Sequence, residues 1–176
     1  MSVIDICTLD SLPVRGGGCI TIPAMEDGLL PLGVHDCTLD EICEIFVFNP
    51  WRNDLFTFLS AYVGKLHECG VSGWIVVDGS YVQMKDEPSD IDLLIVIDRK
   101  KSTYKSNERN LQIVLDLLRM DEAKDRFKLH IFTGYADDVS GQEFVNLSPW
   151  LKDYIQIFTL VRDRPFDLKG MLRLAI

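Results

Sequence analysis

Two apolar runs frame this chain. Gly73-Trp74-Ile75-Val76-Val77 ends against Asp78, and Ile91-Asp92-Leu93-Leu94-Ile95-Val96-Ile97 begins after a polar stretch, 78–90. Short apolar runs bounded by turn residues read as β-strands. Side chains alternate along a strand, so Asp90 and Asp92 point the same way with Cα atoms about 6–7 Å apart. Ile91 and Leu93 point into the other layer. Two carboxylates converging at the mouth of an apolar strand are costly to bury unless something positive neutralises them. Hard oxygen ligands of this kind suit Mg²⁺ or Mn²⁺. Gly79-Ser80, directly after the first run, offers backbone N–H groups and a hydroxyl to phosphate oxygens. Together these parts describe a site for a divalent metal and a triphosphate.

An apolar strand, Gly-Ser, a spacer, then Asp-x-Asp on the next strand resembles the nucleotidyltransferase superfamily typified by DNA polymerase β. The chain is most similar to its minimal branch of small single-domain bacterial proteins, often paired with toxins. The stretches Leu30-Pro31-Leu32-Gly33-Val34-His35, Asp78-Gly79-Ser80-Tyr81-Val82 and Lys169-Gly170 also resemble a little-characterised bacterial family of that superfamily. The likeness is close over 74–97 and loose elsewhere. It implies an α/β (α+β) fold, a mixed sheet flanked by helices.

The chain has 176 residues, enough for one domain with a sizeable core. We expect a wrapping N-terminal arm over 1–37, broken at Gly16-Gly17-Gly18, and a single domain over 38–176. No apolar run approaches a membrane span, and the start lacks a basic region followed by an apolar stretch, so a cytoplasmic location is expected. Five cysteines contain no C-x-x-C pair, which argues against a disulfide framework or a zinc ribbon. His35, Cys37 and Cys43 match no standard metal spacing, and Cys43 and Cys69 read as small packing residues. The net charge is −9, so a phosphate-gripping basic surface for duplex DNA is not expected. The one dense basic run, Arg99-Lys100-Lys101 with Lys105 nearby, reads as a solvated loop or as a contact for a triphosphate or an acidic partner.

Thr38-Leu39-Asp40-Glu41 is a capping box that predicts a short helix to about Val47. Asn49-Pro50 starts a second, with Trp51, Leu55, Phe58, Leu59, Tyr62, Val63 and Leu66 at helical spacing to Cys69, and Gly70 as its stop. Cys19–Pro23 reads as a short edge strand, 81–85 as a helical turn, 106–119 as a helix, 127–132 as a third strand, and Ser148-Pro149 as the start of a last helix. Residues 170–176 fit a strand or a helix. The order of elements suits an α/β sandwich.

The resemblance assigns roles. Asp90 and Asp92 become the metal ligands. Gly79 lets the backbone approach the phosphates, and Ser80 donates to them. The phosphate-contacting arginine common after Gly-Ser in the superfamily is absent; Tyr81 and Gln83 stand there, and Lys85 is the nearest cation. The spacer is one residue shorter than is common in the minimal branch. The third carboxylate of the superfamily falls, on the third strand, at His130. A neutral imidazole can accept a proton or bind a metal but brings no negative charge. Asp125, Asp137 and Asp138 are alternative third carboxylates. Asp78 orders the turn through backbone N–H groups or supplies the missing charge. His67 and Glu68 read as surface residues, and His35 as a packing or capping one.

Two functions follow. One is a metal-dependent nucleotidyltransferase, using Mg²⁺ or Mn²⁺ to move a nucleoside monophosphate, with AMP from ATP as one candidate, to a hydroxyl of a protein, an RNA or a small molecule. The other is a catalytically impaired module that binds a nucleotide or a partner, such as the cognate toxin of a toxin–antitoxin pair. No G-x-S-x-G elbow supports a hydrolase reading of Ser80, and no Rossmann or Walker glycine motif is present.

Overall fold

A computed structural model describes residues 20–137, 139 and 149–176. Gly16–Gly18, Cys19, Asp138 and Ser148 lie outside the described residues. The described residues form a mixed α+β fold built on one five-stranded sheet and five α-helices. In chain order the strands are β1 (Val34–Cys37), β2 (Gly73–Asp78), β3 (Ile91–Asp98), β4 (Leu129–Ala136), a small hairpin β5 (Leu160–Val161) and β6 (Arg164–Leu168), and β7 (Met171–Ala175). The helices are α1 (Leu39–Phe46), α2 (Pro50–Glu68), α3 (Glu108–Leu117), α4 (Met120–Phe127) and α5 (Pro149–Phe158). The sheet order is β1-β7-β2-β3-β4. β2 runs antiparallel to both β3 and β7, whereas β3 is parallel to β4 and β1 is parallel to β7.

Local chemistry starts the first two helices as their caps predict. Thr38 accepts from the Glu41 N–H, and Glu41 accepts from the Thr38 N–H at 2.8 Å. Asn49 accepts from the Arg52 N–H at 2.9 Å, with Pro50 as the first helical residue. Gly70 closes α2 with φ +81°.

The sheet is covered on both faces. Ile75, Val77, Ile91, Leu93, Ile95, Leu129, Ile131 and Leu172 face a core shared with α1 to α4. Trp74, Val76, Leu94, Val96, Phe132 and Met171 face the other side, where Tyr154, Ile155 and Phe158 of α5 pack. Near-continuous apolar strands are the expected result of burial on both faces.

Several expectations change. Residues 20–23 form no strand; the edge strand on that side is Val34–Cys37, so the end of the expected arm is built into the sheet. The third strand is Leu129–Ala136 and not 127–132, because α4 fills 120–127 and Lys128 ends it in the left-handed region at φ 54°. The turn after β2 is a 3-10 helix at Gly79–Val82, two residues earlier than expected. Residues 171–175 are a strand between β1 and β2.

Candidate functional site

The site lies where β2 ends and β3 and β4 begin. The register makes Asp78 the cross-strand partner of Asp92, and Asp92 the partner of His130. All three share the parity of Val76, Leu94 and Phe132, so they occupy the α5 face of the sheet as one row. Asp90 immediately precedes β3 and continues the same parity.

Gly79 turns the chain out of β2 with φ +80°. A β-carbon built there would lie 3.0 Å from Cγ and 3.3 Å from Cβ of Asp92. Glycine is therefore required twice, by the backbone angle and by the close approach of the Asp92 carboxylate. His130 Nδ1 lies 3.0 Å from Asp92 Oδ1, with the two side chains 32% and 27% exposed. The His130 ring also packs on Phe132, with centroids 4.6 Å apart. Asp90 accepts from the Ser89 hydroxyl at 3.0 Å. Ser80 is half-buried in the 3-10 turn.

Asp78 is buried and carries a partner that the sequence did not reveal. Lys169, itself 1% exposed, donates to Asp78 Oδ1 and, at 2.8 Å, to the Phe158 carbonyl. Burial pushes the Asp78 carboxyl up to about 6, against the lowering influence of Lys169 and of the Gly79 N–H; the nearby Asp92 charge pushes it up as well. The backbone beside Lys169 is tied to the 30–35 stretch. Gly170 N–H donates to the Leu30 carbonyl and Met171 N–H to the Gly33 carbonyl, each at 2.9 Å, and His35 Nε2 lies 2.7 Å from the Pro31 carbonyl. The three stretches 30–35, 78–82 and 169–170 thus meet at one place. Lys169 and Asp78 are each conspicuous as a charge beside an apolar run and a glycine; their pairing is a tertiary fact.

Other expected candidates are placed elsewhere. Lys85 is exposed in the 83–90 loop and is reached through its backbone carbonyl by Arg52 at 2.6 Å. Arg99, Lys100 and Lys101 follow the far end of β3, about 23 Å from Asp92 at strand rise, and Arg99 pairs with Asp137. Asp137 follows the far end of β4, and Asp125 is exposed on α4, so neither joins the row. His67 and Glu68 are exposed. Burial pushes the Cys37 thiol up to about 12, which makes it a poor metal ligand at neutral pH.

The donors present bear on the expected cation. Among the described residues, no three His, Cys, Asp or Glu side chains converge to hold a metal ion. Mg²⁺ is commonly held by one or two carboxylates, completed by water and substrate phosphates, without an all-protein cage. Asp90 and Asp92 fit that pattern.

The sequence matches a family of unknown function, DUF6932, over residues 22–175. The chain belongs to this family. Its match spans every element of the sheet and both halves of the candidate row. No curated protein and no solved structure matches the chain. Among the described residues, no helix is long and apolar enough to cross a membrane.

Proposed function

We propose that this member of DUF6932 is a metal-dependent nucleotidyltransferase acting in the cytoplasm. It takes a nucleoside triphosphate, ATP being the first candidate, and passes the nucleoside monophosphate to a hydroxyl of a protein, an RNA or a small molecule. The observation that carries the proposal is the meeting of Gly79, Asp92 and His130 at the mouth of an antiparallel pair, with a third, parallel strand beside it. Asp90 and Asp92 would hold Mg²⁺ or Mn²⁺, which when bound offsets charge on the phosphates and orients them. Gly79 leaves the phosphates room against the backbone, and the Ser80 hydroxyl can donate to them. His130, donating Nδ1–H to Asp92, keeps Nε2 as a proton acceptor for the attacking hydroxyl. Lys85 can add a positive charge from the loop.

A second reading has its own support. His130 stands where the resemblance implies a carboxylate, which suits a module that binds nucleotide or a cognate partner without turnover. The two are separated by incubating the protein with α-labelled nucleotides, Mg²⁺ or Mn²⁺ and cell lysate. Label on an acceptor that disappears in Asp90→Ala and Asp92→Ala supports transfer. Nucleotide binding that needs both aspartates, with no label transferred, supports the binding module. No nucleotide binding dependent on either aspartate overturns transfer and nucleotide binding alike, and leaves the partner version to be tested by whether a complex with a cognate protein can be purified.

A further inference from the structure

The loop that joins Gly79-Ser80 to Asp90 has little sheet to lean on. Its backbone pairs with the 26–29 turn through Met84 N–H to the Gly28 carbonyl at 3.0 Å and a bridge between Leu29 and Gln83. Its carbonyls turn instead to the first turn of α2. Arg52 donates to the carbonyls of Tyr81, Gln83 (3.3 Å) and Lys85 (2.6 Å), and also to that of Phe46 at the end of α1. Asn49 Nδ2 donates to the Asp86 carbonyl at 2.9 Å, and Trp51 Nε1 to the Pro88 carbonyl at 2.7 Å. Arg52 is wholly buried, with its guanidinium over the rings of Phe48 and Tyr81, each 4.6 Å from the ring centre.

A buried guanidinium is costly, and these hydrogen bonds all go to carbonyls and not to a carboxylate. What it supplies is geometry. Its rigid fork of donors serves four carbonyls at once, more than the three donors of a lysine ammonium can reach. The carbonyls run from Tyr81 to Pro88, so the path of the whole loop is fixed from α2. The last of these bonds, at Pro88, is two residues before Asp90.

We propose that Asn49, Trp51 and Arg52 are positioning residues for the candidate site, acting through the loop carbonyls to deliver Asp90 beside Asp92. This rests on the metal-binding reading of that aspartate pair. α2 therefore belongs to the site as well as to the core. The loop conformation, and not the strand alone, brings the second carboxylate into place.

The test uses Mn²⁺ alone as probe, with free and bound ion separated by electron paramagnetic resonance, on the full chain well below its melting temperature. Trp51→Phe removes only the indole donor at a half-exposed position and should fold; Arg52→Lys and Arg52→Met remove the fork. Mn²⁺ affinity is expected to fall about three- to tenfold in Trp51→Phe, the worth of one hydrogen bond, with a melting temperature lowered by no more than a few degrees and faster amide exchange over 83–90. Arg52→Lys, where folded, should lose at least as much. Trp51→Phe binding Mn²⁺ as tightly as the wild type overturns the positioning role. A wild type that binds no better than an Asp90→Ala/Asp92→Ala double variant overturns the metal reading itself.

Discussion

Replacing Lys169 with methionine keeps the buried volume and removes the charge that faces Asp78. The size of the effect should depend on pH in a calculable way. With the Asp78 carboxyl near 6 in the native protein, both proteins hold it protonated at pH 5. There the substitution costs only the lost donor to Phe158 O and to a neutral carboxyl, about 1–3 kcal/mol. Above pH 6 the native protein ionises Asp78 against Lys169. The variant must either leave that charge unpaired or keep it protonated, and keeping it protonated costs about 1.4 kcal/mol for each pH unit. By pH 8 the difference should have grown by about 3 kcal/mol, to a total of about 4–6 kcal/mol, at or just above the range for breaking a buried pair. Urea denaturation at pH 5 and pH 8, read at the transition midpoint, measures this directly. A double variant, Asp78→Asn with Lys169→Met, should recover most of the loss at pH 8 because no charge remains to be paired. Equal destabilisation at the two pH values, or a double variant no better than the single one, would refute the assignment of the pair as the charge balance of this row.

The wild type should lose about 3 kcal/mol of stability as the pH rises from about 4 to 6 on account of Asp78 alone. The sign follows from a folded carboxyl raised above its unfolded value: between the two values the native state binds more protons, so stability falls as pH rises. Asp78→Asn should flatten that slope in thermal melts, even though its overall stability is lower. Gly79→Ala forces φ +80° on a side chain that meets the Asp92 carboxylate, so it should cost about 1–3 kcal/mol in chemical denaturation and weaken Mn²⁺ binding at least tenfold.

The parts of the fold that were legible in the sequence are those whose signal is local. β2 and β3 announce themselves as apolar runs, and α1 and α2 as caps followed by helical spacing. β1 is short and carries His35 and Asp36, and its partner β7 is distant in sequence, so no local pattern marks either. α4 buries only Ala123 among its apolar and charged residues, which leaves almost no periodic stripe to read. In the candidate site, the meeting of Gly79, Asp92 and His130 was legible: the Gly-Ser turn and strand alternation set the first two, and the resemblance set His130 on the next strand. Lys169 was not, because its partner is set by the sheet order. Arg52 is the instructive miss. The buried positions of α2 run 52, 55, 56, 59, 62, 63 and 66, an unbroken helical stripe with arginine at its head, while Trp51 is half-exposed. The sequence pattern set Trp51 at the head of the stripe because it is apolar; the structure buries Arg52 there instead, because its buried neighbours are carbonyls in need of donors.

β7 sits in the interior of the sheet although it follows every other strand in the chain. During synthesis, β2 must therefore wait with one edge unpaired until residue 175 has cleared the ribosome. Until then the β2–β3 hairpin exists without its second neighbour, and Asp78 exists without Lys169. A nascent chain stalled before residue 169 would present an apolar strand with free N–H and C=O groups, an invitation to pair with another chain. The same delay leaves the buried carboxylate of the candidate row without its counter-charge until the segment that carries Lys169 has docked.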